Sequence, residues 1–453
     1  MESENPKVLV ISHNPFSDTQ NNGKTLSAFF KGWPKDKIAQ LYLTLDKFDT
    51  TVCEKFYRIT DLDVLKTIFS KKQVGIEYTQ TEEEKAADIA IKNGIEKEKL
   101  HKNKLYLLIR DLYQKRNPFM YCIRNLAWKI VKPWKQEKLN KWIDDFNPDV
   151  VFFQSSNVYA IFDMVYDICK KRNIPLVMET TDDYVTSHFS IDPFYWIDHY
   201  KMKNRYTKAV KYSSCIFAIG DMMAKEYQER FGGNFKVAMN SISIKNKVTP
   251  YVPKEKEVNF LYAGNLGLNR WKVLHEIGIA LKEIVQENDI KVNFEVYSIE
   301  RPKEEILKAL TIENVMTYKG SLSSEELLKK RNESDILVHV ESFDKKNKYI
   351  TRLSVSTKIP EYLVSKRCIL AVGPKNVASI RYMEDNDLGV VITTNQKKQM
   401  KEKLIELVTN STKRTNYANQ SLDIIEEKHN ATKTKNLVQL EVKNAVMKTS
   451  SLK

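Results

Sequence analysis

The sequence predicts an α/β protein of two doubly wound, mostly parallel halves facing each other across a cleft, with helices at the C-terminal end. Three observations predict it. Short apolar blocks rich in Val, Ile, Leu and Phe alternate with longer amphipathic stretches along most of the chain. The blocks are continuously apolar, as strands covered on both faces require. The alternation pauses at "KNKVTPYVPKEKE" (245–257), where two prolines and a charge cluster read as a linker, and then restarts. The domains expected are 1–247, 258–425 and a C-terminal tail, 426–453, packing back on the first half.

In the first half, Val8-Leu9-Val10-Ile11 reads as a buried strand, and a helix is expected from Lys24. "IAQLYL" and "FYRIT" (56–60) read as strand-like, and 61–104 as polar and helix-prone. "PDVVFFQS", from Pro148, is a strong strand signal. A helix, a turn at Asn173 and a strand over Leu176–Met178 follow. A long helix is expected over 194–212, then the strand "SCIFAIG". A helix capped by Asp221 and the closing segment "FKVAMNSIS" complete this half. In the second half the strands are "VNFLYAG", "VNFEVYS", "NVMTYKG", "DILVHVE" and "CILAVG". Helices are expected over 269–287, 303–310, "SSEELLKKRNES" and "TKIPEYLVSK", and the segment 395–447 reads as helical.

At 453 residues and 42% apolar, the chain has enough length and apolar content for two or three cores. No apolar run reaches membrane-spanning length, and the N-terminus lacks the basic-then-apolar order of a signal peptide. The five cysteines show no Cys-x-x-Cys spacing, which fits a reducing cytoplasm and argues against a zinc site or a disulfide framework. The net charge of +15 is concentrated between Lys99 and Lys141, which hold twelve Lys/Arg against two acids. There, Arg124, Lys129, Lys132 and Lys135 interleave with an apolar helical pattern that includes Trp128 and Trp134. Such a helix suits an anionic membrane surface or an acceptor beside it. Packing against the protein core and nucleic-acid binding stay open, although no nucleic-acid-binding signature accompanies the charge.

Open α/β sheets bind ligands at the carboxyl ends of their strands. Gly-Lys-Thr (23–25) follows the first strand, but the P-loop spacing requires a glycine where Asp18 stands. Gly23 therefore reads as a point of close backbone approach before a helix N-terminus, or as an ordinary flexible helix entry. In "YAGNLGLNRWK" (262–272), Gly264 and Gly267 permit a tight turn. Arg270 beside exposed helix N–H groups suits a diphosphate, the alternative being an ordinary turn with a solvated arginine. Lys358 and Glu361 share a helix face, suited to phosphate and ribose hydroxyls or to a plain surface ion pair. The polar stretch 340–354 reads as a loop over the site. Asp182, Asp183 and His188 follow a strand, as does His13; they are candidates for proton transfer or sugar orientation, with capping and loop solvation the alternative.

The order strand–"AGNLGLNR"–helix, then "SDILVHVESF", then "STKIPEYLVSKRCILAVG", resembles the donor half of glycosyltransferases with the two-domain GT-B fold. The nearest likeness is to family-4-like retaining enzymes of bacterial polysaccharide and cell-envelope synthesis. It is strong over 258–392 and diffuse before. The resemblance implies two Rossmann-like domains and a hexosyltransferase that uses a nucleotide-diphosphate sugar without a metal, at the inner face of the membrane. It implies that Arg270 contacts the diphosphate, that Lys358 and Glu361 touch phosphate and ribose, and that the Gly23 loop approaches the phosphates. Asn265 stands where the family often has arginine. Leu353 stands where a second carboxylate is expected, leaving Glu341, or Ser354 and Ser356, to substitute. A non-catalytic scaffold of a polysaccharide assembly is a second reading. A metal-dependent transferase, using the Asp-x-Asp at Asp61 and Asp63, is a third.

Overall fold

The computed structural model describes residues 5–18, 21–46, 48, 50–70, 73–79, 117–242 and 251–451. Of the basic stretch, 99–116 lie outside the described residues, as do 80–104 of the helix-prone region and 243–250 at the start of the linker. The chain divides into two compact units, Met1–Ala238 with Thr432–Lys453, and Met239–Ala431.

The first unit runs β1 (Val8–Ser12), α1 (Asn21–Phe30), β2 (Ile38–Tyr42), β3 (Lys55–Arg58), α2 (Asp61–Ser70), β4 (Ile76–Thr79), α3 (Pro118–Val131) and α4 (Glu137–Phe146). It continues with β5 (Val150–Gln154), α5 (Tyr159–Arg172), β6 (Leu176–Thr180), α6 (Pro193–Tyr212), β7 (Ser213–Ala218), α7 (Asp221–Phe231) and β8 (Phe235–Val237). The strand order is β4-β3-β2-β1-β5-β6-β7-β8, parallel throughout except that β4 pairs antiparallel with β3. Central β1 pairs Val8 with Ile38 on one side and with Val150 on the other, and every residue of β1 and β5 is buried. Their continuously apolar sequences are the cause, since helices cover both faces. Phe30 of α1 meets Phe152 edge-on at 5.2 Å.

The second unit runs β9 (Glu257–Ala263), α8 (Arg270–Glu287), β10 (Lys291–Tyr297), α9 (Glu304–Ala309), β11 (Met316–Gly320), α10 (Ser324–Glu333) and β12 (Ile336–Val340). After these come α11 (Lys345–Thr351), α12 (Ile359–Val364), β13 (Cys368–Val372), α13 (Ala378–Asp385), β14 (Val390–Ile392), α14 (Lys397–Thr409) and α15 (Ser411–Lys428). Its all-parallel sheet has the order β11-β10-β9-β12-β13-β14. The order reverses between β9 and β12, which places a topological switch point at their carboxyl ends. The last helix, α16 (Ala431–Ser450), returns to the first unit, where Val438, Val442 and Ala445 join the core beside α1.

Two sequence expectations change here. Trp128 and Trp134, expected at a membrane surface, are buried. Each indole N–H donates to a distant carboxylate: Trp128 to Asp61 at 2.7 Å and Trp134 to Asp167 at 2.9 Å. Arg124 is also buried, its Nε 2.8 Å from Asp61. An indole or guanidinium that finds a buried acceptor is better satisfied inside than at an interface. Lys129 is half-buried, and only Lys132 and Lys135 of the six expected patch residues are exposed. No helix among the described residues is long and apolar enough to cross a membrane.

Candidate functional site

The chemistry-bearing residues of the second unit gather at the carboxyl ends of β9 and β12. After β9 the chain turns through Leu268 and Asn269, both left-handed at φ 55° and 58°, and enters α8 at Arg270. Two consecutive non-glycine residues in that region carry strain of about 1–3 kcal/mol each. The turn is held by Asn265 Oδ1, which accepts from Gly267 N–H, and by Asn269, whose side-chain N–H donates to Asp344 at 2.6 Å. Asn265 is thus a turn residue: its side chain serves Gly267, and its carbonyl accepts from the Tyr262 hydroxyl at 2.7 Å. The side chain of Asn269 does not cap α8, so the electropositive helix start stays available to an anion.

Arg270 donates through Nη2 to both oxygens of Glu341, at 3.1 and 3.0 Å. Glu341 follows β12 directly and is only 3% exposed. Burial pushes its carboxyl up, and the Arg270 guanidinium holds it down. Lys358, at the start of α12, is half-buried. A Cβ built on Gly264 would stand 1.7 Å from Lys358 Nζ, so the ammonium occupies the space that a side chain would take. It also lies 5.1 Å from the centre of the Tyr262 ring. Burial, then repulsion from Arg270, pushes its pKa down to about 8, against the pull of Glu341 and Glu361. His339 lies two residues before Glu341 on the same strand face. Its Nε2 is buried without a hydrogen-bond partner, 3.7 Å from Glu341. Burial, with Arg270 and Lys358 nearby, pushes its pKa down to about 3, so it is neutral at physiological pH.

Arg270 and Lys358 thus stand against one buried carboxylate and a neutral imidazole, a surplus of positive charge beside a helix N-terminus. The arrangement can hold a di-anion and stabilise charge that develops on it. Glu361 is ion-paired with Arg331 at 2.8 Å. Leu353 is fully buried, so no carboxylate occupies the position where the resemblance implied one.

Other expected residues do different work. Gly23 lies within α1, and a Cβ there would meet the Pro15 carbonyl at 2.2 Å. The close approach it makes is to the chain's own loop at Pro15 and Ser17. Asp183 accepts from the Tyr227 hydroxyl at 2.6 Å and from the N–H groups of Val185 and Thr186. Asp182 accepts from Tyr184 at 3.3 Å, and the His188 ring packs on Tyr195. These three residues shape the loop after β6 in the first unit. Asp61 holds Arg124 and Trp128, while Asp63 caps α2 by accepting from Thr60 N–H at 2.8 Å. The Asp-x-Asp carboxylates therefore serve separate partners. Among the described residues, no group of three or more His, Cys, Asp or Glu is placed to hold a metal ion. His13 is largely buried, and burial pushes its pKa down to about 4. The sequence reading missed His339 and Tyr262; the one signal was a histidine inside the otherwise apolar "ILVHV".

No protein-family model matches this sequence, and no curated protein matches it. Solved structures do match over nearly their full length. Sucrose-phosphate synthase from Thermosynechococcus elongatus is 8% identical with a TM-score of 0.59, over 98% of this chain and 99% of that one. Anabaena Alr3699/HepE, in complex with UDP and glucose, is 12% identical with a TM-score of 0.57, over 96% and 98%. WaaG, a glycosyltransferase involved in lipopolysaccharide biosynthesis, is 12% identical with a TM-score of 0.55, over 96% and 99%. The chain has the GT-B glycosyltransferase fold. In a GT-B chain with two parallel-sheet units, the Arg270–Lys358 cluster marks the switch point of the second.

Proposed function

We propose that this GT-B chain is a glycosyltransferase that takes a sugar from a nucleotide-diphosphate donor. The observation that carries this reading is the pairing of Arg270 and Lys358 beside the Gly264 turn and the start of α8. The two cations come from different elements, α8 and α12, and both stand near Glu341, an arrangement suited to a diphosphate. As the bond from anomeric carbon to phosphate oxygen lengthens, negative charge grows on the departing diphosphate. Fixed, partly buried cations stabilise that charge without reorganising. Their two positive charges do the work that a divalent cation would otherwise do, so transfer is expected to persist in chelator. Complexes of HepE with UDP and glucose and with UDP-glucose make uridine the first nucleotide to test. The acceptor is proposed to be a glycan or lipid-linked sugar at the cytoplasmic face of a membrane, with retention of the anomeric configuration.

The test is calorimetry with a panel of nucleoside diphosphates and their sugars, then product analysis with candidate acceptors in chelator. Selective binding of one base, lost in Arg270→Ala and Lys358→Ala, supports the reading. No nucleotide binding at any base overturns it. Binding with neither hydrolysis nor transfer of the sugar leaves the scaffold reading in its place.

A further inference from the structure

From the exposed faces of α3 and α6 and the loop before α6, we infer a docking surface for a bilayer bearing anionic headgroups. It deepens the reading of a membrane-proximal acceptor: of the six expected patch residues Lys132 takes part, while the buried Arg124, Trp128 and Trp134 do not. The buried face of α3 carries Arg124, Ala127 and Trp128. The opposite face exposes Phe119, Ile123, Leu126 and Ile130, at spacings of four, three and four, a single helical stripe. α6 packs beside it: the Phe119 and Phe194 rings meet at 4.9 Å, and Cys122 Sγ–H donates to the Phe194 carbonyl. Along α6 the stripe continues through Phe194, Ile197 and Tyr200.

The loop before α6 adds Phe189 and Ile191, 85% and 91% exposed. It is held in place, since Trp196 Nε1–H donates to the Ser190 carbonyl at 2.8 Å and His188 N–H to the Tyr195 hydroxyl at 2.8 Å. Of the sixteen large apolar side chains that the described residues expose, ten lie on this face. Such a concentration marks an interaction site, not the normal scatter of surface apolar groups.

Charge selects the occupant. α3 has no acidic residue, the one acid of α6, Asp198, accepts from Asn125, and Asp192 of the loop is engaged as the N-cap of α6, accepting from Phe194 N–H at 2.8 Å. Asp163 of α5 pairs with Arg205 at 2.9 Å and with Lys129 at 3.9 Å. The exposed Lys132 and Lys203 make no ion pair among the described residues. A second copy docking by two-fold symmetry would bring these cations against themselves. An anionic lipid surface complements them, while the apolar stripe enters the acyl boundary and amphipathic Trp196 and Tyr200 sit at headgroup level.

The test uses the full chain and no sugar transfer, so its outcome is separable from that of donor binding. Flotation is compared on phosphatidylglycerol-rich and pure phosphatidylcholine vesicles, with Trp196 emission as a second readout. Expected are binding to the anionic vesicles, weakened but not abolished by salt, and a blue shift that Trp196→Phe removes. Leu126→Glu with Ile130→Glu reduces binding roughly tenfold or more and leaves nucleotide binding unchanged. Leu328→Glu, an exposed apolar control in the second unit, changes nothing. The inference is overturned if the wild type ignores anionic vesicles, if the double variant binds as well as wild type, or if the double substitution instead splits a dimer in solution.

Discussion

The ammonium of Lys358 sits over the backbone of Gly264, 1.7 Å from where a Cβ would stand. Glycine is required there because the space belongs to a cation, not because the backbone is unusual. Gly264→Ala must therefore push Lys358 aside. A flexible side-chain end moves cheaply, so stability should change by less than about 1 kcal/mol. Nucleoside-diphosphate affinity should fall roughly tenfold, the scale of one charge-assisted hydrogen bond. Calorimetry beside thermal unfolding checks both, and wild-type affinity in this variant would refute the role given to Lys358.

The depressed pKa of Lys358 gives donor binding a pH signature. The free protein holds this ammonium at about 8, and a bound diphosphate stabilises the charged form and raises it. Affinity is then flat at neutral pH. Above about 8 it falls with rising pH, by up to tenfold per unit, because binding takes up a proton. Lys358→Arg, which stays charged, should flatten the profile. Titration in buffers of different ionisation enthalpy reads the proton uptake directly.

Arg270 and Glu341 form a buried pair, and breaking it from either side has different consequences. Arg270→Ala leaves a 3% exposed carboxylate without its ion-pair partner, with Thr351 still bonded to it, and should cost roughly 3 kcal/mol of second-unit stability. Glu341→Gln frees Arg270 for the ligand, so diphosphate binding should tighten several-fold while sugar turnover falls. In the double variant stability should recover but binding should not. Unfolding and calorimetry on the four proteins close the cycle, and recovery of binding in the double variant would place the diphosphate elsewhere.

The alternation of strands and helices was legible because parallel strands buried on both faces leave continuous apolar runs, as in Val8–Ile11 and Val150–Phe153. The proposed donor site was partly legible too, since a Gly-containing turn before a helix and a lysine three residues before a glutamate on one helix face are local signals. What stayed hidden depends on distant partners. Trp128 meets Asp61 and Trp134 meets Asp167 through tertiary contacts that no spacing reveals. Helix α3 is apolar on two faces, so periodicity could not say which one the protein covers. The short edge strand β4, inside a polar stretch read as helical, owes its existence to pairing with β3, a contact that outweighs local propensity.

Glu179 connects burial in the first unit to pH. Its side chain, one residue before the end of β6, lies beside Gln154, which donates to it at 2.8 Å, and one oxygen of each side chain is buried without a partner. Burial pushes the Glu179 carboxyl up to about 7, against the bond from Gln154. A carboxyl raised in the folded state keeps its proton longer than in the unfolded chain. The stability it contributes is full below the ordinary carboxyl range and is lost as pH rises through 7. The loss by pH 8 is on the order of 3 kcal/mol. Glu179→Gln cannot ionise, and its amide N–H can donate to the unpartnered Gln154 oxygen. The variant should match wild type near pH 4 and exceed it at pH 8. Because the two units need not unfold together, amide hydrogen exchange on β5 and β6 is the appropriate readout. Equal protection of the two proteins at pH 8 would show that Glu179 ionises at no cost, and hence that water or a bound cation reaches it.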